Sequence, residues 1–328
     1  MQPFEFTSPK TKEQVPALLG NNWDEVEILA GGTDLLSLMK DEITTPRRLV
    51  NIKNIQDLHS VSFNPDKSVR IGALKTLAEL AATPDLQKSH PMLALAVADA
   101  ASPQIRNLAT LGGNLCQRPR CWYFRTGYGL LGKDKDGKSL VQNGDNRYHA
   151  ILGNDGPAYF VSPSTIAPVL IAYQAKVRIL GPQGARELPL EKFFVIPKSE
   201  QEREHDLKPN EMVIEIVVPA AAGVRAAAYE VRQKESFDWP YVTAAVALTM
   251  NGSSVSNARV VLGHVAPIPW LSPEAAQALV GKPITAATAD QAAQAAVAQA
   301  KSLGRNIHKI HLASVAVKRA ILKAGGVA

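Results

Sequence analysis

The chain has 328 residues and a formal net charge of +6, a length that predicts two or three packed units rather than one small core. Its basic residues are dispersed and no Lys/Arg run is interleaved with aromatics, so a nucleic-acid surface is excluded; the charge suits a polyanionic cofactor or an acidic partner. Cys116 and Cys121 are the only cysteines, which excludes a disulfide framework, and no run of about 18 apolar residues exists to cross a membrane.

In chain order, Ser8-Pro9 with Glu13 following predicts a capped helix start within Thr7 to Gly20. Glu27-Ile28-Leu29-Ala30 reads as a short buried strand running into Gly31-Gly32, with one or two helical turns over Leu35 to Lys40. Arg48 to Ile52 and Val69 to Ala73 are strand-like, and Leu77 to Ala82 and Met92 to Ala101 carry apolar residues at helical spacing. A second glycine loop, Thr110-Leu111-Gly112-Gly113-Asn114-Leu115, follows. Thr126 to Asn146, rich in Gly, Asp and Lys, reads as an inserted surface loop. Regular structure resumes at Tyr159-Phe160-Val161 and continues with a helix over Ala167 to Tyr173 and strands over Lys176 to Leu180 and Met212 to Val218.

Composition changes after Pro219-Ala220-Ala221-Ala222-Gly223. Strands are expected over Ala226 to Val231, Val242 to Met250 and Ala258 to Val265, then alanine-rich helices over Ala289 to Leu303 and Ile310 to Lys323. The expected organisation is a domain over 1–222, with an inserted loop at 116–149, and a smaller α+β domain over 223–328. The N-terminus has no basic stretch followed by an apolar one, so a cytoplasmic protein is expected, with export alongside a partner as the other route.

A strand running into Gly31-Gly32-Thr33-Asp34 and then a helical turn makes a physically sensible anion cradle. Glycine permits positive φ and close approach of a phosphate, and the N–H groups of Gly32, Thr33, Asp34 and Leu35 can converge on one set of oxygens. Thr110, Gly112, Gly113 and Asn114 admit the same reading. Either loop alone is equally a ligand-free tight turn. Neither fits G-x-G-x-x-G or G-x-x-x-x-G-K-[ST], which disfavours a Rossmann or Walker site; a pyrophosphate held between two loops remains.

Ala30-Gly31-Gly32-Thr33-Asp34-Leu35-Leu36 and Thr110-Leu111-Gly112-Gly113-Asn114-Leu115 resemble the two FAD-binding motifs of xanthine dehydrogenase and carbon monoxide dehydrogenase flavoprotein subunits. Ile71-Gly72-Ala73, the Ser102 to Asn107 segment and the C-terminal Lys309-Ile310 and Lys318-Arg319-Ala320 match the same pattern. The resemblance spans essentially the whole chain. It implies an α+β, p-cresol-methylhydroxylase-type two-part FAD-binding domain followed by a carbon monoxide dehydrogenase flavoprotein-like C-terminal domain.

Carried over by residue, it implies cofactor contacts from Ala30, Gly31, Gly32, Thr33, Asp34 and Leu35, from Ile105, and from Thr110, Gly112, Gly113 and Asn114. It also implies contacts from Ser164 and Thr165, in the stretch Ser162-Pro163-Ser164-Thr165 that ends in Asp in the family; Thr165 stands in that last place, so a hydroxyl replaces the carboxylate expected to hold the ribityl chain. Lys234 lies in the run Arg232 to Trp239, which resembles a segment approaching the flavin; a salt-bridged strand edge is the other reading. Trp239 or Tyr241 can stack on the flavin or simply pack in a core.

Cys116-Gln-Arg-Pro-Arg-Cys121 and the polar insertion after it resemble the aldehyde-oxidoreductase branch whose insertion carries a [4Fe-4S] cluster. Such a cluster needs four thiolates or a close substitute. Gly129-Leu130-Leu131 and Lys138 to Val141 stand where the later cysteines belong, so Cys116 and Cys121 read as a degenerate cluster site with no metal. A disulfide between them requires their Cα atoms to be close. No histidine stands out as an acid–base catalyst.

The function implied is that of a flavin subunit, taking electrons from a [2Fe-2S] small subunit fed by a molybdopterin-binding large subunit and passing them to an external acceptor. The rival readings are a stand-alone FAD-dependent reductase and a non-catalytic assembly subunit that has lost flavin.

Overall fold

The computed structural model describes residues 1–234 and 237–327. Its first sheet is small and parallel: β1 (Glu5–Thr7), β2 (Val26–Leu29) and β3 (Arg48–Asn51) run in the order β1-β3-β2. Parallel neighbours need a crossover, and the helix Leu35–Lys40 supplies the one between β2 and β3. The first glycine loop therefore lies at the C-terminal end of β2, where open parallel sheets present their ligand crevices.

The second sheet contains β4 (Val61–Phe63), β5 (Val69–Gly72), β6 (Lys176–Gly181), β7 (Gly184–Pro189) and β8 (Met212–Val218) in the antiparallel order β4-β5-β8-β6-β7. One core gathers Val69, Ile71, Val177 and Ile216 from this sheet with Leu93 and Val97 of the helix Pro91–Asp99 and the wholly buried helix Ile166–Ala172.

The third sheet, β9 (Val224–Val231), β10 (Val242–Asn251), β11 (Ser254–Gly263) and β12 (Trp270–Leu271), is an antiparallel meander in the order β12-β11-β10-β9. The first seven residues of β10 are all buried because helices cover both faces. Val242, Ala244, Val246 and Leu248 join the core under the helices Ala286–Val297 and His308–Gly325, whereas Ala245 and Ala247 join the core of the second sheet. The twofold period of a strand thus welds two cores across one element.

Several expectations need correction. Ser8 does not cap a helix: its hydroxyl accepts from Asn51 Nδ2 at 3.0 Å, tying the N-terminus to β3. Thr11 and Gln14 form the capping box instead, ahead of the short helix Val15–Leu19. The segment 126–146 is not merely a surface loop: Leu130, Leu131 and Val141 are buried, and the first two share a small core with Leu38, Phe124 and Phe160. Tyr159-Phe160-Val161 is irregular, with Tyr159 and Phe160 buried and Val161 half-buried, and the Tyr159 carbonyl accepts from Ala150 N–H, just after the insertion, at 2.8 Å. Strand β7 and the helix Pro273–Leu279 went unanticipated. β7 is charged and mostly exposed, so no apolar alternation announces it. The helix does follow a legible Ser272-Pro273 start, with Ser272 accepting from Ala275 N–H.

Candidate functional site

Between the first two sheets lies a cavity of about 630 Å³. The first glycine loop, Ala30 to Leu35, lines it together with Thr110, Gly112 and Gly113 of the second. Met212 and Val213 of β8 supply apolar wall, and Cys116, Gln117, Arg118 and Phe124 of the insertion close another side. Two loops about eighty positions apart in sequence thus meet on one space, of the size ordinary for small-molecule sites.

The two loops are not equivalent. Gly32 has φ +73°, and a Cβ on Gly31 would come within 2.0 Å of the Leu108 carbonyl oxygen, so both glycines are required by the backbone. Among the described residues the backbone N–H groups of Gly31, Gly32, Thr33, Asp34 and Leu35 meet no acceptor. Five consecutive free donors beside a cavity form a nest suited to an anion. In the second loop the donors are spent: Leu111 N–H goes to the Lys75 carbonyl, Gly112 to Ala73, Gly113 to Thr110 Oγ1 and Asn114 to the Thr110 carbonyl. That segment is a helical turn, Leu111–Leu115, capped by Thr110. Its glycines serve close packing instead, since a Cβ on Gly112 would meet Ala73 at 2.9 Å.

Asn114 and Ser164 come together, the Ser164 hydroxyl donating to Asn114 Oδ1 at 2.6 Å while accepting from Ala167 N–H at 3.0 Å. Thr165 is buried beside them, at the start of the helix Ile166–Ala172, with no side-chain capping bond. Asn114, Ser164 and Thr165 stand outside the cavity wall, as do Ile105 and Lys234, which are exposed. Lys234 bonds through its N–H to Asp238; Glu235 and Ser236 of the same run lie outside the described residues. Trp239 is half-exposed beneath the Arg120 guanidinium, 4.9 Å from its ring, and Tyr241 packs against Tyr148 at 5.1 Å.

The side chains that the motifs did not announce are charged. Burial opposes ionisation of Asp34, but Arg120 and Arg125 hold its carboxyl below the usual carboxylate range. Arg118 pairs with Glu204 at 2.8 Å and Arg203 with Asp24 at 2.7 Å. His205 is stacked on Phe193 and lines the same cavity, its pKa lowered by burial. The density of arginine in Arg118-Pro-Arg120-Cys-Trp-Tyr-Phe-Arg125 was the available signal, eclipsed by the cysteines. Those cysteines are both free thiols. Burial pushes the Cys116 thiol up to about 12, and Cys121 Sγ lies 3.1 Å from His149 Nε2.

Residues 2–221 match the FAD binding domain in molybdopterin dehydrogenase, and residues 227–324 the CO dehydrogenase flavoprotein C-terminal domain. The chain belongs to this family of FAD-binding oxidoreductase subunits, and FAD is its cofactor. It is 30% identical to the carbon monoxide dehydrogenase medium chain of Hydrogenophaga pseudoflava over 97% of this chain and 96% of that one. It is 31% identical to the aldehyde oxidoreductase FAD-binding subunit PaoB of Escherichia coli (strain K12), over 82% and 84% respectively. In structure it is similar to carbon monoxide dehydrogenase of H. pseudoflava lacking the Mo-pyranopterin moiety, with a TM-score of 0.78 over 100% of this chain and 99% of that chain. These relatives are medium chains or subunits of multi-subunit enzymes. Among the described residues no helix is long and apolar enough to cross a membrane.

Proposed function

We propose that this chain holds FAD in the cavity between its first two sheets and serves the flavin step of a complex. A molybdopterin-binding large subunit oxidises substrate there, a [2Fe-2S] small subunit relays the electrons to this chain, and an external acceptor receives them. The observation that carries the reading is the run of five unpaired N–H groups from Gly31 to Leu35, in a loop that lines a cavity of about 630 Å³.

When bound, FAD supplies the redox chemistry, and the protein supplies position and electrostatics. Gly31, Gly32, Thr33, Asp34 and Leu35 would hold the pyrophosphate by their N–H groups. Thr110, Gly112 and Gly113 would act differently, as a rigid capped turn that shapes the opposite wall. Asn114, Ser164 and Thr165 form a polar group suited to the ribityl hydroxyls, with the Thr165 hydroxyl standing in for a carboxylate. Cys116 and Cys121 fit a loop that has lost a cluster, since the chain has two cysteines and a buried thiol such as Cys116 resists becoming a thiolate.

The test is direct. The purified full chain should show a flavin absorption spectrum with about one FAD released per chain, and no stoichiometric iron of its own. A colourless chain that takes up no FAD overturns the proposal and favours an assembly subunit. Stoichiometric iron in this chain alone overturns the degenerate-loop reading. Subunits that co-purify identify the partners.

A further inference from the structure

An acid in an anion-binding loop is a contradiction unless something neutralises it. Asp34 follows the diglycine directly, and its carboxylate is spoken for. Oδ1 accepts from Arg120 Nη1 at 2.5 Å and from Arg125 Nη2 at 2.8 Å, and Oδ2 accepts from the backbone N–H of Arg118 at 2.8 Å. All three donors belong to one stretch of the insertion. The carboxylate side chain is 16% exposed and its partners 27% and 17%, so the pairing is shielded and charge-assisted.

The same arginines extend the network. Arg125 Nε bonds the Pro119 carbonyl at 2.9 Å, closing the loop on itself. Arg120 Nη2 bonds Gln117 Oε1 at 3.0 Å, and Gln117 Nε2 bonds the Asn114 carbonyl at 2.9 Å, reaching the second glycine motif. The guanidinium of Arg120 then lies over Trp239, beyond the third sheet's β9. The stretch so fastened supplies Arg118 and Phe124 to the cavity wall.

We propose that Asp34 is a positioning residue, whose carboxylate latches the Arg118–Arg125 loop across the FAD cavity while Arg120 carries the latch on to Trp239. The inference rests on the FAD reading of the cavity. Two guanidinium groups on one carboxylate cancel the negative charge that an unpaired Asp34 would set against a pyrophosphate, and the bonds they make fix the loop in place. The apolar hold on this region through Phe124, Leu130 and Leu131 does not involve Asp34, so the isosteric variant Asp34→Asn retains that core.

The experiment uses the full chain with any co-purifying subunits. Flavin release is followed by fluorescence on dilution, and maleimide labelling of Cys116 and Cys121 is quantified by mass spectrometry. Asp34→Asn is expected to release FAD and to label both thiols about tenfold faster, the scale of a lost charged hydrogen bond. In an Arg120→Gln background the same change should add little, because the two residues act through one contact. Release and labelling at wild-type rates in Asp34→Asn, or full additivity with Arg120→Gln, overturns the latch. Should Asp34→Asn not accumulate, Arg125→Gln is read on the same two measures, where acceleration supports the latch and wild-type rates overturn it. A wild-type chain that binds no FAD overturns the cavity reading instead, and thiol labelling then decides the latch by itself.

Discussion

The absence of a side chain at Gly31 lets two segments touch. The Ser102 to Ala109 stretch presses its backbone against the diglycine so closely that a methyl group on Gly31 would overlap the Leu108 carbonyl. Relief requires that stretch to move, and overpacking of this kind costs about 1–3 kcal/mol. Gly31→Ala should therefore lose that much stability in urea unfolding and shed FAD with it. Gly156→Ala is the control: a Cβ there meets nothing within 4 Å, and the change should stay within about 0.5 kcal/mol. Equal behaviour of the two variants would refute the packing argument. Gly32 acts through conformation instead, at a φ that side chains rarely adopt.

Capping decides how elements meet at the site. Thr110 caps the turn Leu111–Leu115 and so consumes the Gly113 N–H that a phosphate would otherwise use. Ser164 does two tasks, receiving Ala167 N–H at the head of the helix Ile166–Ala172 and donating to Asn114. Removing its hydroxyl with Ser164→Ala should cost about 1–2 kcal/mol in unfolding experiments and free Asn114 to turn. Flavin release should accelerate in the same variant, whereas Ser272→Ala, which loses a similar cap at the distant helix Pro273–Leu279, should cost stability without altering release. Indistinguishable flavin release from the two variants would remove Ser164 from the site.

At the scale of the molecule, one buried lysine joins three parts. Lys309, on the helix His308–Gly325, donates through Nζ to the carbonyls of Tyr148 at 2.9 Å, His149 at 3.0 Å and His264 at 2.6 Å. Burial pushes its pKa down to about 7, while three carbonyl acceptors match the three N–H groups of the ammonium form. Burial, with the Lys309 charge added, also lowers His149 to about 4 and His264 to about 3. Both imidazoles are therefore neutral in the folded chain, whereas in the unfolded chain each takes up a proton near its ordinary value of 6.5. Between these values the unfolded state binds more protons, so stability rises with pH and is lost on acidification from about 6.5 toward 4. The slope should reach up to about 1.4 kcal/mol per pH unit for each histidine, read from urea unfolding at stepped pH. His264→Asn, which suits the left-handed backbone at φ +62°, should shallow it. An unchanged slope in that variant would assign the acid sensitivity elsewhere.

By itself the sequence determined the elements whose period is strong and the motifs whose spacing is local. Leu35–Lys40 and Met212–Val218 stand where apolar spacing puts them, and both glycine motifs lie on the same cavity. Strand β7 was not legible because charged, exposed residues take their pairing from a neighbour rather than from a face of their own. Tertiary structure alone decided which donors in the two loops remain free, since that depends on acceptors such as the Lys75 and Ala73 carbonyls from other segments. It also decided what Asp34 does: a carboxylate in a phosphate-like motif is read from sequence as one more ligand group, and only the fold brings three arginine positions, more than eighty residues away, against it. Backbone conformation and apolar period are local properties, whereas the partner of a charge is a property of the folded whole.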